Sequence, residues 1–324
     1  MFKRELEVEN LSVAFADDHG EFTVVDDISY YLNSGETLAI VGESGCGKTV
    51  SALSILRLIP NPPGRITAGQ IRFDARDILS LSPEELRELR GNKIAMIFQE
   101  PMTSLNPVLT IGDQITETLR RHTSHTRKEA QQKAIDLLRQ VDIPAPEMRM
   151  DAYPHQLSGG MRQRAMIAMA LSCNPRILIA DEPTTALDVL IQAQILELLK
   201  KLKEETGMSI LLITHDLGVV AETAQRVLIM YAGKIVESGS VKQLFQLPLH
   251  PYTLGLMNSV PKAGDFGERQ RLSEIKGNVP SPRELSTGCA FHPRCPSVME
   301  RCKTQKPQLQ EKQPGHMVSC WLHE

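Results

Sequence analysis

One short run of residues restricts the fold of this chain more than any other feature. The run is Gly42-Glu43-Ser44-Gly45-Cys46-Gly47-Lys48-Thr49, and it follows an apolar segment that is typical of a buried strand, Thr37–Val41. Its glycines let the backbone curl so that successive N–H groups point into one concavity, and the helix predicted from about Thr49 adds its positive end. The run therefore predicts a phosphate-binding loop between a strand and a helix.

Within this loop, two side chains have separate roles toward a nucleoside triphosphate. Lys48 brings positive charge to the β and γ phosphates, and the hydroxyl of Thr49 is a ligand for Mg²⁺. A glycine-rich turn that binds nothing is the alternative, and the complete match between a strand and a helix disfavours it. The predicted nucleotide-binding residues of the loop are Gly42, Glu43, Ser44, Gly45, Cys46, Gly47, Lys48, Thr49 and Val50.

A second apolar strand ends in a pair of carboxylates. Ile177–Ala180 precedes Asp181, which is expected to hold the hydration shell of Mg²⁺. Glu182 follows and is the candidate that polarises the attacking water. Carboxylates at strand ends are common, so the pair indicates catalysis only because a phosphate-binding loop precedes it in the chain. Together they predict ATP hydrolysis.

A serine and two glycines begin another predicted helix, in the run Leu157-Ser158-Gly159-Gly160. Ser158 has a purely structural interpretation as a helix N-cap. The exposed glycines Gly159 and Gly160 would add N–H donors at the positive helix end, which makes a second anion site. One chain cannot easily place both anion sites on one phosphate. We therefore expect a head-to-tail dimer, in which Ser158 of one subunit faces the γ-phosphate held by the other.

In this order along one chain, the motifs resemble those of ABC transporter ATP-binding subunits, over residues 5–260. The resemblance implies the α/β fold of an ABC-type P-loop NTPase: a RecA-like parallel sheet core, an antiparallel β subdomain and a helical insert. Gln99 matches the glutamine that reaches Mg²⁺ and the attacking water. His215 matches the histidine that contacts the γ-phosphate, and Asp188 matches a carboxylate at the dimer seam.

Two segments narrow the resemblance to the ATPases of dipeptide, oligopeptide and nickel importers. These are Gln99–Pro107 and the tetrad His250-Pro251-Tyr252-Thr253. The family also stacks an aromatic side chain on adenine. Phe15 is favoured for that position and Phe22 is the alternative, while simple core packing explains either phenylalanine equally well.

A change in composition along the sequence predicts two domains. An ATPase domain covers residues 1–260, begins with short antiparallel strands, and contains a helical subdomain at about 100–173. Capping boxes are predicted at Ser82 and Thr126. Beyond residue 260, scattered prolines and four cysteines indicate a small, irregular, cysteine-rich domain over residues 261–324.

Those cysteines are Cys289, Cys295, Cys302 and Cys320. Their spacing is too wide for a common zinc ribbon, which prefers paired Cys-x2-Cys knuckles. Four thiolates also suit a [4Fe–4S] cluster, and Zn²⁺ or unligated thiols are the alternatives. The stretch Gly288–Pro296 resembles the tail of peptide-importer ATPases, and that family is associated with such a cluster.

Charge and hydropathy restrict the partners of the chain. With a formal net charge of −3, the chain lacks the excess of basic residues that is typical of nucleic-acid-binding proteins, so nucleic acid is not an expected partner. No apolar run approaches the roughly 20 residues of a spanning helix, and the first residues do not form a signal peptide. The family resemblance implies a place at the cytoplasmic face of the inner membrane. It also implies a second ABC ATPase subunit, related or identical, two membrane-spanning permease subunits and an extracytoplasmic solute-binding protein.

The sequence therefore predicts an ATPase subunit that powers import of peptides. Import of nickel or another small solute would use the same ATPase. A soluble ABC ATPase of translation or DNA repair is a rival, although such chains usually fuse two ATPase domains or insert a long coiled coil. A second rival function is that of a redox-sensing adaptor, in which the cysteines carry the function. An exporter is a weaker alternative, because exporters more often carry fused membrane helices.

Overall fold

The computed structural model describes residues 3–100, 104–185, 187–259 and 275–324. Its strands are β1 Arg4–Asp17, β2 Gly20–Asn33, β3 Thr37–Val41, β4 Gly64–Phe73, β5 Arg76–Asp77, β6 Ile94–Ile97, β7 Ile177–Asp181, β8 Ser209–Thr214, β9 Arg226–Tyr231, β10 Lys234–Ser240, β11 Gln310–Gln313 and β12 His316–Val318. Its helices are α1 Lys48–Ile55, α2 Pro83–Leu89, α3 Ile111–His122, α4 Arg127–Gln140, α5 Pro146–Arg149, α6 Gly159–Leu171, α7 Val189–Thr206, α8 Leu217–Thr223, α9 Val241–Gln246, α10 Pro251–Asn258 and α11 Glu300–Thr304.

These elements belong to two compact units. The described residues of the first unit lie at 3, 33–36 and 80–213, and those of the second unit lie at 4–32, 37–79 and 214–324. The predicted domain boundary at residue 260 lies outside the described residues, so it stays a prediction. Among the described residues, no helix has both the length and the apolar character needed to cross a bilayer.

The first unit is built on three parallel strands. β6 pairs with β7 from Ile94↔Ile177 onward, and β7 pairs with β8 from Ile177↔Ser209 onward. Every residue of these three strands is buried. Uninterrupted apolar runs of this kind are typical of parallel strands that are covered on both faces. The predicted parallel core is confirmed here.

Helices α3 to α6 of the first unit cover much of residues 104–173, and the bounds of the helical subdomain stay a prediction. Their starts follow from local chemistry. Thr126 accepts the backbone N–H of Glu129, whose side chain accepts the N–H of Thr126 in return. Ser82 and Glu85 make the same reciprocal pair at the start of α2. Both capping boxes occur where the sequence predicts them, because each satisfies two backbone donors that a helix start leaves free.

The second unit contains an antiparallel sheet in the order β2-β1-β4-β5. β1 and β4 pair from Leu6↔Phe73 to Phe15↔Gly64, with register shifts near Ser12. The prediction of short strands at the start of the chain is wrong, since β1 and β2 each span 14 residues. Strand β4 was not predicted at all, although its buried Ile71 and Phe73 alternate with more exposed residues.

A further sheet region of the second unit holds the phosphate-binding loop. β3 pairs with β9 in parallel, and β9 returns as β10 through a turn at Ala232 and Gly233, both with positive φ. The two strands form a β hairpin. On its other side β10 pairs with β12, which pairs with β11. The chain after residue 275, called the tail below, therefore contributes a regular β hairpin.

The core of the second unit joins the tail to the strands through three aromatic rings. Tyr231 of β9, Tyr252 of α10 and Phe291 of the tail are each at most 2% exposed. Their ring centroids lie 4.7 to 5.4 Å apart at tilted or edge-to-face angles. Such arrangements are favourable beyond the area they bury.

Candidate functional site

The phosphate-binding loop lies between β3 and α1, as the sequence predicts. Gly45 and Gly47 have φ values of 80° and 100°, a conformation that glycine adopts without steric cost. Ser44 and Gly45 are exposed, while Cys46, Gly47 and Lys48 are buried. Gly47 is the N-cap of α1 and makes no side-chain capping bond, so the helix start presents backbone N–H groups. The geometry suits an anion.

Lys48 is held within the loop itself. Its Nζ donates to the carbonyl oxygen of Gly42 at 2.7 Å and to that of Glu43 at 3.1 Å. Lys48 as a whole is only 5% exposed. A buried ammonium that bonds only carbonyl oxygens lacks a full negative partner among these contacts. A bound phosphate would supply that charge.

Gly42 is required by close packing rather than by backbone conformation. A Cβ at this position would lie 2.2 Å from the carbonyl oxygen of Met230 and 2.7 Å from the Sγ of Cys46. Gly45 differs, because a Cβ there would meet nothing within 4 Å and would carry only the cost of its positive φ.

We expect Gly42→Ala to lower the free energy of unfolding by about 3 kcal/mol, the upper end of ordinary overpacking, because the obstacle is backbone. The control Gly45→Ala should lose about 1–2 kcal/mol. Denaturant unfolding without nucleotide measures both. Equal losses in the two variants would contradict the packing argument.

The carboxylate pair of the first unit ends strand β7. Asp181 is 2% exposed. Glu182 has a φ of 45°, and its N–H donates to the carbonyl oxygen of Ile213 at 2.9 Å. The Glu182 Oε2 accepts bonds from Gln99 Nε2 and from Thr185 Oγ1, each at 2.9 Å. The structure thus brings together two of the residues that the sequence predicts to be catalytic, and Thr185 was missed.

The serine-glycine run lies at the start of α6, as predicted. Ser158 is the N-cap, and its Oγ accepts the N–H of Met161 at 3.3 Å. Ser158 and Gly159 are exposed, and Gly160 is half-buried against Ile191, whose Cγ2 would lie 2.9 Å from an added Cβ. Gln163 is 2% exposed and donates to the carbonyl oxygen of Pro183. This buried bond joins α6 to the segment after Glu182, and the sequence does not predict it.

The remaining predicted residues lie at element ends. Asp188 is exposed and caps α7 by accepting the N–H of Ile191 at 3.0 Å. The next two residues, Val189 and Leu190, are 83% and 77% exposed. His215 is exposed and directly follows β8. Within the quoted motifs, residues 101–103 and 186 lie outside the described part of the chain.

The two candidate adenine-stacking residues are neighbours. Phe15 and Phe22 are both half-buried, with ring centroids 6.4 Å apart and planes 26° from parallel. The guanidinium of Arg283 lies 4.4 Å from the centroid of Phe22. Phe15 packs against Gly64, where an added Cβ would come within 2.7 Å of the ring. The choice between the two phenylalanines stays a prediction.

The cysteines of the tail converge on one place. Cys289, Cys295, Cys302 and Cys320 all line a single small cavity, together with His250 and His292. Burial, followed by the neighbouring cysteines, raises the pKa of Cys289 to about 11. Burial also raises the pKa of Cys295 and Cys320. Among the described residues, no three histidine, cysteine, aspartate or glutamate side chains are grouped so that they could hold a metal ion.

The tetrad at the start of α10 has a structural role that its sequence did not reveal. Burial lowers the pKa of His250 to about 3, so the ring is neutral and its Nδ1 accepts the N–H of Tyr252 at 3.0 Å. Pro251 occupies the first turn, where its missing N–H costs nothing. The hydroxyl of Tyr252 accepts the N–H of Glu43 at 2.9 Å. The tetrad therefore supports the phosphate-binding loop.

Comparison with protein families identifies two regions. Residues 25–185 match the family described as ABC transporter, and residues 236–302 match the family described as oligopeptide/dipeptide transporter, C-terminal region. The chain is 54% identical to a probable peptide ABC transporter ATP-binding protein of Sinorhizobium fredii, over 98% of this chain and 94% of that protein. It is 52% identical to the oligopeptide transport ATP-binding protein AppD of Bacillus subtilis, over 98% and 97%.

Solved structures support the same fold. The dimeric post-hydrolysis ATP-binding cassette MJ0796, bound to ADP and Pi, aligns with a TM-score of 0.66 and 28% identity. The alignment covers 73% of this chain and 98% of the cassette. The protein cbiO1 of Clostridium perfringens, part of an ABC transporter complex, aligns with a TM-score of 0.63 and 27% identity, over 76% of this chain and 92% of cbiO1.

Proposed function

This chain belongs to the family of ABC transporter ATP-binding proteins, and from that premise we propose that it hydrolyses ATP to power import of dipeptides or oligopeptides. The observation that carries the catalytic part is the placement of Glu182 at the end of β7, where Gln99 and Thr185 hold its carboxylate. The peptide part rests on the match of residues 236–302 to the oligopeptide/dipeptide transporter region.

ATP binding is assigned to the phosphate-binding loop. Lys48 and the N–H groups from Gly45 to Val50 receive the phosphates, because buried donors and a helix start favour negative charge there. Phe15 stacks on adenine, and His215 contacts the γ-phosphate. Glu182 accepts a proton from the water that attacks the γ-phosphate.

Mg²⁺ fits the oxygen donors available. The hydroxyl of Thr49 and the carboxylate of Asp181 are hard ligands of the kind that Mg²⁺ takes, with Gln99 as a third. The carboxylate of Asp181 is almost wholly buried, and a bound cation would offset part of the cost of burying its charge. When bound, Mg²⁺ would neutralise charge on the β and γ phosphates.

The complete hydrolytic site is proposed to need two subunits, one supplying the loop and the other Ser158, Gly159 and Gly160. Support comes from the exposure of Ser158 and Gly159 at the positive end of α6. Asp188, Val189 and Leu190 would lie at the same dimer seam, where the two exposed apolar side chains would be covered. The second subunit is a copy of this chain or a related ATPase.

The transporter is proposed to contain two membrane-spanning permease subunits and an extracytoplasmic solute-binding protein. This chain would sit at the cytoplasmic face of the inner membrane, held there by the permeases. Contact through the Gln99–Pro107 segment would link closure of the ATPase dimer to the permeases, because Gln99 also holds Glu182.

The tail is proposed to be a cysteine-rich region that holds a [4Fe–4S] cluster. Its four cysteines line one cavity, which fits a shared ligand. A single Zn²⁺ needs every sulfur within about 2.3 Å of one point, whereas a cluster distributes its thiolates around a cube. When bound, it would cross-link the tail.

We expect anaerobically purified protein to be brown and to contain about four iron atoms per chain, the number in one [4Fe–4S] cluster. Cys302→Ser should lose most of this iron, since Cys302 is buried in the cysteine group. Cys173→Ser is the control, because Cys173 lies in the first unit. Colourless preparations with stoichiometric zinc would reject the cluster.

The experiment that tests the main proposal uses the assembled complex. A tagged copy of the chain is purified from membranes, its co-purifying subunits are identified, and ATP turnover is measured in proteoliposomes with the solute-binding protein. Turnover stimulated by dipeptides or oligopeptides supports the proposal. Stimulation by nickel alone would assign another cargo, and the absence of membrane partners would favour a soluble ATPase.

A further inference from the structure

The tail contacts the phosphate-binding loop directly, through an ion pair between Arg294 and Glu43. Arg294 Nη1 lies 2.5 Å from Glu43 Oε2, and Nη2 lies 2.9 Å from Oε1, so the pair is bidentate. The Arg294 side chain is 5% exposed and that of Glu43 is 29% exposed. Two parallel charge-assisted bonds fix both the position and the orientation of the carboxylate.

Arg294 is itself fixed within the tail. Its Nε donates to the carbonyl oxygen of Lys276 at 3.1 Å, and its Nη2 donates to that of Ile275 at 3.3 Å. It directly precedes Cys295, one of the cysteines that line the shared cavity. The guanidinium is therefore held within the tail by two consecutive carbonyl groups as well as by the loop.

Every polar group of Glu43 has a partner. Its N–H donates to the hydroxyl of Tyr252, its carbonyl oxygen accepts from Lys48, and its carboxylate accepts from Arg294. Lys48 is the residue assigned to the phosphates. The conformation of Glu43 is thus tied on one side to the tail and its aromatic core, and on the other to the phosphate-binding lysine.

We propose that Arg294 is a positioning residue for ATP binding, through which the tail holds the phosphate-binding loop. This inference rests on the proposed ATPase function. Its physical reason is electrostatic as well as geometric. Glu43 places a negative charge in a loop that must accept a triphosphate, and Arg294 both neutralises that charge and holds the carboxylate in place. Without Arg294, the free carboxylate would repel the ligand.

The test measures the Kd for MgATP and, separately, the midpoint of thermal unfolding without nucleotide. Arg294→Met is expected to weaken binding at least about fivefold, the lower end of ordinary coupling between sites. Arg294→Lys keeps the charge but cannot form the fork, so its Kd should lie between the wild type and Arg294→Met. The double variant Arg294→Met with Glu43→Gln should regain most of the affinity, because the unpaired charge is gone.

Arg301→Met is the matched control. Arg301 lies in the same tail, pairs with Glu324 at 2.6 Å and stacks on Trp321 at 3.4 Å. Its loss removes another arginine–glutamate pair of the tail without touching the loop, so the Kd for MgATP should not change. The control therefore separates loosening of the tail from loss of the contact with Glu43.

The outcomes distinguish the two proposals. If the wild-type chain fails to bind MgATP, the proposed function is wrong. If the wild type binds and folded Arg294→Met binds equally well, the inference is overturned. It is also overturned if the double variant binds as weakly as Arg294→Met, because a general loss of order would then explain the effect. Should Arg294→Met not fold, wild-type affinity in Arg294→Lys overturns it.

Discussion

Glu182→Gln is expected to bind ATP as tightly as the wild type and to hydrolyse it at least about 100-fold more slowly, the lower end of what a general base contributes. The substitution keeps the shape of the side chain and removes only its basicity. The backbone bond from Glu182 to Ile213 does not involve the side chain, and an amide oxygen can still accept from Thr185. Folding and nucleotide binding should therefore persist. Single-turnover hydrolysis and equilibrium binding of ATP measure the two effects separately.

Glu197→Gln provides the control for that experiment. Glu197 is an exposed carboxylate on α7 in the same unit, so it tests whether loss of any one negative charge from this unit slows turnover. We expect wild-type rates. Normal hydrolysis in Glu182→Gln would remove Glu182 from the catalytic role.

Gly159→Asp is the second substitution with a large expected effect. A Cβ at this position would come no closer than 3.8 Å, to Leu187 Cδ2, so the fold should tolerate the change. The new carboxylate would stand at the helix start that is proposed to face the γ-phosphate of the partner subunit. Turnover in the assembled transporter should fall by about 100-fold or more, the loss caused by removing one donor to a developing charge, while ATP binding to the isolated chain is unchanged.

Gly159→Asn serves as its control, since an asparagine side chain has nearly the shape of aspartate without its charge. It should fold and retain most of the turnover. Wild-type turnover by Gly159→Asp in the assembled, peptide-stimulated complex would end the two-subunit model of the site. A comparable loss in both variants would point to crowding at the interface instead of charge.

Much of the fold could be predicted because its signals are local. The run Ile177–Ala180 is apolar without interruption and lies buried in a parallel strand. Ser82 and Thr126 begin helices because their capping bonds are made within four residues. The loop from Gly42 to Thr49 is likewise dictated by glycine conformations and by its position between a strand and a helix. Each of these needs no knowledge of distant residues.

The contacts that complete the site depend on residues far apart in the chain. Glu43 and Arg294 are separated by 251 positions, and Glu43 and Tyr252 by 209. No local sequence pattern around the arginine or the tyrosine predicts its partner, so only the folded structure reveals these bonds. Strand length was misjudged for a similar reason. Pairing of β1 with β4 extends the strand well beyond what its alternation of apolar residues indicates.

The hairpin β11–β12 of the tail covers the edge of the sheet that it joins. β12 pairs with β10, which would otherwise present an open row of backbone groups to other proteins. The outermost strand, β11, is short and carries Glu311 and Lys312, features that discourage further strand addition. Buried Glu237 of β10 also accepts a bond from His316 Nε2 at 2.7 Å. Cutting the chain before β11 would therefore do more than remove Cys320: it would expose the edge of β10, take one hydrogen-bond partner from buried Glu237, and favour self-association.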